Sequence, residues 1–521
     1  MPRFKPCDYN QLQMVPLSLD QQLVPGTLEY AIHTLIEERM DLSSFDERYQ
    51  NDDMGRRAYD PKVLLKVVLF AYSRGILHSR PMERACKENI TFMALACGHQ
   101  PDHSTLASFI SSMGKDQVVS LFTQVLLVCQ EEGLLGGTHF SLDGLKLSSN
   151  ASKEWSGKHH DLLKKKQALE RKIEEAVSEQ QEEDKKEGDP DGRRRNEKIQ
   201  KLQHHADRIE KFLNETEPKQ GKSGDEVQSN ITDPDSAKMS TSHGVVQGYN
   251  AHAMVDEDTQ VVLHAEVFGD GSDGTAMEDM LEGTEENLES IGREKPLKDQ
   301  VISADTGYFT QKNLEACEEA GVDAYIPDRK FRQRDVRFEE AGRHRRPVTN
   351  AQKKKKEAKP KKWFSPEDFR YDPELKTLIC PAGTQMYVKS ENFSTGAGQT
   401  GVCYQAPAPA CKACALRRKC QQNPESKEGR RVAILDGREP KKKKSITEQM
   451  KEKIDTPEGR KMYSKRLGIV EPVFGNIRAN KRMDHFTLRG REKVNLQWML
   501  YCLVHNIGKV AHFAPSYAKA V

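Results

Sequence analysis

Two acidic residues set into apolar strands constrain this chain more than anything else in it. Asp143 stands in THFSLDGLKLSSN, where Phe140, Leu142, Leu145 and Leu147 make the segment read as a strand. Asp305 ends the apolar run VISADTGY. A carboxylate in such a place is costly unless it is paired or meets a cation. A third acid, Glu471, lies in YSKRLGIVEPVFGNIR, which reads as a helix packed beside the sheet. Three carboxylates meeting at one sheet edge repel each other, and a divalent cation removes the conflict. All-oxygen ligands favour Mg²⁺, with Mn²⁺ as a substitute. Two such ions about 4 Å apart suit displacement at phosphorus. Taken singly, each acid has a simpler surface or turn reading, so the argument rests on the three together.

The surrounding elements follow an α/β order. The first ~135 residues read as helices. Leu28, Ala31, Ile32, Leu35 and Ile36 share one face, and Val63, Leu64, Val67, Val68 and Ala71 another. Asp60-Pro61 is a helix start. A helix over 82–96 and another begun by Asp102 or Ser104 allow either a helix-turn-helix or a plain bundle. A strand over 138–150 follows, then two alternating runs within 244–268 joined as a hairpin at Asp256–Thr259. A helix at 274–291, the strand ending at Asp305, a helix at 310–320 and the short strand VDAYIP complete a mixed sheet flanked by helices. Asp233 and Asp235 flank Pro234 in a predicted turn, and Asp273 reads as a helix cap. Trp498, Met499, Cys502, Leu503 and Ile507 form a packed helix face near the end.

Between these elements lie charged inserts. Residues 153–222 hold 18 Lys or Arg and 17 Asp or Glu. Ile199, Leu202, Ala206, Ile209 and Leu213 form a heptad seam, Leu162, Leu169, Ile173 and Ala176 a second, and GDPDG at 188–192 a turn. The expectation is a protruding antiparallel helical hairpin. Residues 329–362 carry 15 Lys or Arg against four Asp or Glu, and a second basic run spans Lys441–Lys444. Such blocks are solvated loops or phosphate-tracking loops. The net charge is only +2, so nucleic acid would have to meet local patches. No apolar run reaches the ~20 residues of a membrane span. Eleven cysteines make an odd set for a disulfide framework. Five of them, Cys380, Cys403, Cys411, Cys414 and Cys420, cluster. Cys411-x2-Cys414 has zinc-ligand spacing, and Cys420 with either Cys380 or Cys403 would complete a structural Zn²⁺ site; buried thiols are the alternative.

These motifs together resemble the bacterial insertion-sequence transposases of the DDE type, in the group with a helical N-terminal domain. The likeness runs through YDPKVLLKVVLFAYSRGILHSRPMERACKENITFMALACGHQPDHSTLASF, SLDGLKLSSNASK, DPDSAKMSTSHGVVQGYNAHAMVD, SADTGYFTQKNLEACEEAGVDAYIP and YSKRLGIVEPVFGNIRANKRMDHFTLRGREKVNLQWMLYCLVHNIGKV. It implies a ribonuclease-H-like core in which Asp143, Asp305 and Glu471 bind two Mg²⁺. It also implies nicking at element ends and joining of a 3′-hydroxyl to target DNA. The implied domains are a DNA-binding helical domain over 1–135, a core over 136–328 interrupted by the 153–222 arm, a basic cysteine-containing insertion over 329–444, and the rest of the core over 445–515. The family's Tyr-Arg-Glu-Lys signature maps onto Tyr463, Arg466, Glu471 and Arg478. Four residues separate Arg466 from Glu471, where three are usual, and arginine replaces the final lysine. The implied partners are the terminal inverted repeats, target DNA and a second copy in a synaptic dimer, in the cytoplasm at the nucleoid and away from membranes. The alternatives are an element-derived DNA-binding chain without catalysis, or a ribonuclease-H-like nuclease without strand transfer.

Overall fold

The computed structural model describes residues 18–49, 57–183, 192–221, 224–241, 244–338, 364–372, 377–394, 400–421, 423, 425–435 and 445–517. The predicted turn at 188–192 lies almost wholly outside them, as do Lys353–Lys356, most of the 329–362 block and Lys441–Lys444. The chain forms two compact units, one of residues 1–331 with 450–521 and one of residues 332–449.

In the first unit, helices α1 (Leu28–Thr34), α2 (Pro61–Ser73), α3 (Ser79–Glu88), α4 (Ile90–Leu95), α5 (His103–Ser112) and α6 (Lys115–Glu131) open the chain. Their starts follow local capping. Asp60 accepts from the Lys62 amide with Pro61 in the first turn, and Asp102 accepts from the Thr105 amide. The single helix predicted over 82–96 is instead two. Asn89 adopts an extended backbone and its side chain caps α4 at Thr91 and Phe92, so a good capping residue overrides the apolar periodicity.

Strand β1 (His139–Ser148) is the middle of the sheet. After it come the two-residue strands β2 (Ser156–Gly157) and β3 (Ser229–Asn230), which pair with each other. Between them stand α7 (His159–Glu183) and α8 (Gly192–Glu215). Leu162 near the start of α7 packs with Ile209 and Phe212 near the end of α8, and Lys166 pairs with Glu210, so the two helices run antiparallel.

Strands β4 (Ala237–Thr241), β5 (Gly244–Asp256), β6 (Val262–Phe268), β7 (Val301–Ala304) and β8 (Asp323–Tyr325) complete the sheet, with α9 (Met277–Ser290) and α10 (Gln311–Glu319) between them. The order is β4-β5-β1-β7-β8, and β6 also pairs with β5. β5 is antiparallel to β1 and β6, whereas β7 runs parallel to β1 and β8 parallel to β7. The predicted hairpin between β5 and β6 is present, closed by Asp256, whose carboxylate accepts from the amides of Asp258 and Thr259.

In the second unit, β9 (Arg370–Asp372), β10 (Thr377–Ile379), β11 (Gln385–Ser394), β12 (Thr400–Gln405) and β13 (Arg431–Leu435) form an antiparallel sheet in the order β13-β12-β11-β10-β9. The short helices α11 (Ala408–Lys412) and α12 (Arg417–Cys420) lie between β12 and β13. Phe369, Leu378, Met386, Tyr404, Ala406 and Val432 are its core.

The chain then ends in α13 (Ile446–Asp455), α14 (Pro457–Gly475) and α15 (Arg491–Phe513), which belong to the first unit from residue 450 on. The predicted face of α15 is buried throughout. Trp498 donates to the His252 carbonyl at 2.8 Å, Asn506 bridges both backbone groups of Val262, and Tyr501 stacks on Tyr72 at 4.7 Å. The Asp233–Asp235 turn reaches this helix from far away in sequence. Asp233 accepts from the Gly490 amide and Asp235 from the Arg491 amide, so two carboxylates satisfy the helix N-terminus. Among the described residues no helix is long and apolar enough to cross a membrane.

Candidate active site

The pairing of β1 with β7 sets Leu142 opposite Ala304. The next residues are Asp143, still within β1, and Asp305, the first residue past β7, so the register brings the two sequence-predicted aspartates side by side. Asp143 accepts from the Gly144 amide at 2.9 Å and from Arg466 Nη1 at 2.7 Å. Burial pushes its carboxyl up to about 6, Arg466 opposes that rise and the Asp305 charge adds to it. Asp305 accepts from the Gly307 amide and caps the helical turn Thr306–Tyr308.

Helix α14 carries Tyr463, Arg466 and Glu471, with Arg478 just past its end, and the structure separates them. Arg466 is buried against Asp143, and its Nε has no hydrogen-bond partner. Its guanidinium lies 5.9 Å from the Tyr463 ring, which meets Phe331 edge-on at 5.3 Å. Arg478 is exposed just beyond the helix. Glu471 is exposed as well, and the described residues give it no hydrogen bond or ion pair. At 3.6 residues per turn it points about 140° away from Arg466 around the axis. The structure therefore brings Asp143, Asp305 and Arg466 together and leaves Glu471 on the outer side of the helix. The extra residue between Arg466 and Glu471 is the physical reason: with three residues between them the two would share a face.

A further acid stands at the site. Asp273 was expected to cap a helix, but α9 starts at Met277 behind Ala276, which offers no side-chain cap, and Ser272 caps the short turn before it. The Asp273 carboxylate accepts from Asn250 Nδ2 at 2.7 Å and lies 4.0 Å from His252 Nε2. A Cβ added at Gly307 would stand 2.5 Å from Asp273 Oδ2 and 2.8 Å from Asp305 Oδ1. These two carboxylates thus flank one glycine. His252 is fully buried, and burial lowers its pKa to about 3, so the ring is neutral. Its Nδ1 meets the Tyr308 hydroxyl. Nothing local in GDGSDGTAM signals this position, because the contact depends on the sheet.

The resemblance implies a divalent cation here. Among the described residues no group of three His, Cys, Asp or Glu side chains is set so as to hold a metal ion. Mg²⁺ needs fewer protein ligands, since it keeps several waters and commonly binds through one or two carboxylates plus substrate phosphate. Asp143 and Asp305 meet that requirement. The unpartnered buried atoms around them, Arg466 Nε, Asn250 Oδ1 and His252 Nε2, fit a site that receives a polar guest.

In the second unit, Cys380, Cys411, Cys414 and Cys420 line one cavity, while Cys403 is buried in β12 and does not line it. The Thr384 amide donates to Cys380 Sγ at 3.3 Å, and burial raises the Cys420 thiol. Arg417 and Arg430 line the same cavity with their Nε atoms unpartnered.

Comparison with known families agrees with this architecture. A family model described as a transposase DDE domain matches residues 379–511, and one described as a transposase domain (DUF772) matches residues 17–112. The first match spans the cysteine cluster, Arg466 and Glu471, and Asp143 and Asp305 lie outside both. No curated protein matches the chain. Matches to two transposase-domain models in one chain, with a mixed α/β fold consistent with a DDE, ribonuclease-H-like enzyme, make the chain similar to insertion-sequence DDE transposases.

Proposed function

We propose that this chain cuts DNA at the ends of an insertion sequence and joins the freed 3′-hydroxyls to target DNA. The observation that carries the reading is the position of Asp143 on β1 next to Asp305 at the end of β7, the two strands being parallel, with Arg466 on Asp143. A strand order of β6-β5-β1-β7-β8 with β5 antiparallel supports a ribonuclease-H-like core. Mg²⁺ or Mn²⁺, one ion or two, would be held by Asp143 and Asp305 and would supply Lewis-acid chemistry at a phosphate. Arg466 opposes the burial penalty on Asp143, and its unpartnered Nε is a donor for a phosphate oxygen. Arg478 offers a cation to the DNA backbone, and Tyr463 an aromatic face to a base drawn from the helix. Glu471 is the third acid that the resemblance supplies.

The other parts have matching roles in this reading. Residues up to 135 recognise the ends, and the α7–α8 hairpin serves assembly of a dimer. Zn²⁺ would brace the second unit by drawing together Cys380, Cys411, Cys414 and Cys420, which line one cavity but are not set to hold a metal as they stand. One observation favours the alternative of a DNA-binding chain that does not cut: Glu471 faces outward. Cleavage of a terminal DNA fragment separates the readings. Asp143→Asn and Asp305→Asn are each expected to abolish Mg²⁺-dependent nicking while retaining end binding. A wild-type chain that binds ends and never nicks them would overturn the proposal.

A further inference from the structure

The Asp273 carboxylate has no capping duty, and its surroundings are those of a ligand. It faces Asp305 across Gly307, within 2.5 Å and 2.8 Å of one Cβ position. Two side chains on β5 turn toward it, both fully buried. Asn250 holds it through Nδ2 and keeps an unpartnered Oδ1, which lies 2.9 Å from where a Gly144 Cβ would stand, next to Asp143. His252 presents an unpartnered Nε2 to Asp273 Oδ1. Buried polar atoms without partners are rare, and each needs an explanation. Glycine at 144 and at 307 keeps the space between these groups open, since a side chain at either place would fill it.

We propose that Asp273 is a further carboxylate of the cation site, acting with Asp305, and that Asn250 fixes its orientation. This rests on the metal-dependent reading above, so the test must separate the two. The full chain is titrated with Mn²⁺ alone, and free Mn²⁺ is read by electron paramagnetic resonance. Four forms are compared: wild type, Asp143→Asn, Asp273→Asn, and Glu278→Gln as a nearby surface control whose partner is Lys312. Asp273→Asn should weaken Mn²⁺ binding at least tenfold, with Glu278→Gln unchanged. Wild-type affinity in Asp273→Asn alongside a loss in Asp143→Asn overturns the role of Asp273 and leaves the metal reading intact. Wild-type affinity in both removes the metal reading and this proposal with it. An equal fall in the surface control reduces the effect to distant charge and also overturns the proposal. Should Asp273→Asn not fold, Gly307→Ala leaves every carboxylate in place and wedges a methyl between two of them. The same loss is expected there, and unchanged affinity would refute the assignment.

Discussion

The raised carboxyl of Asp143 makes metal binding depend on pH in a calculable way. Burial holds its pKa near 6, against an ordinary value of 3.8. A cation binds the ionised form, so protonation competes with it. The apparent dissociation constant then scales with one plus the ratio of protonated to ionised Asp143. With a pKa of about 6 that factor is near 1 at pH 8, about 2 at pH 6 and about 11 at pH 5. Mn²⁺ affinity of the full chain, measured by titration at each pH, is expected to fall about tenfold from pH 8 to pH 5. Stability of the metal-free chain runs the other way. The folded state binds this proton more tightly than the unfolded state, so stability falls as pH rises from about 4 to about 6 and is level above that. At about 1.4 kcal/mol per pH unit the contribution is about 3 kcal/mol, with little discount for solvent because the side chain is only 17% exposed. Arg466→Met removes the cation that opposes the rise, so the inflection in Mn²⁺ affinity should move above pH 6. An affinity curve that stays flat to pH 5, or an inflection unmoved by Arg466→Met, would refute the assignment of Asp143 as a buried ligand paired with Arg466.

Other outcomes follow from the remaining elements. The purified chain should carry about one zinc per molecule by elemental analysis; Cys411→Ser should lose it and Cys403→Ser should keep it, and the reverse would reject the four-thiol assignment. Ile209→Ala empties a fully buried position at the base of the α7–α8 hairpin and should destabilise the hairpin by about 2–5 kcal/mol. Hydrogen exchange over 159–215 would show this as faster exchange, and unchanged protection would mean the helices do not depend on that contact. Arg478→Ala should weaken end binding at low salt more than at high salt, because an exposed phosphate contact is screened. Charge reversal of Lys353–Lys356 should do the same, and a loss independent of salt would argue against phosphate tracking.

Much of the architecture was legible because strand alternation and capping are local. Asp60, Asp102 and the Asp256 turn behave as their neighbours dictate, and the apolar face of α15 is buried as its periodicity requires. That Asp143 needs a partner was inferable too, since an acid in an apolar strand is costly alone, and the structure gives it Arg466. Local rules failed where two of them competed. At Asn89 an apolar periodicity favoured one helix, and the capping side chain split it. At Asp233 and Asp235 a turn was readable, but their service to the N-terminus of α15 was not, because that partner lies more than 250 residues on.

The acids show the same limit more sharply. Glu471 was singled out by its place in a motif, yet a motif does not set the face of a helix; the spacing to the neighbouring residue does. With four residues between Arg466 and Glu471, the arginine that reaches Asp143 commits the helix to a rotation that leaves the glutamate outside. Asp273 is the converse. Its own segment, rich in glycine and serine, offers every signal of a cap and none of a site. What places it is the register of β5 on β1, which sets Asn250 and His252 beside Gly144, together with the turn that puts Gly307 next to Asp305. A one-residue slip of β5 would carry Asn250 and His252 to the opposite face of the sheet. It would strand Asp273 without a hydrogen-bond donor while leaving its sequence untouched. The chemistry of this residue is therefore a property of strand pairing.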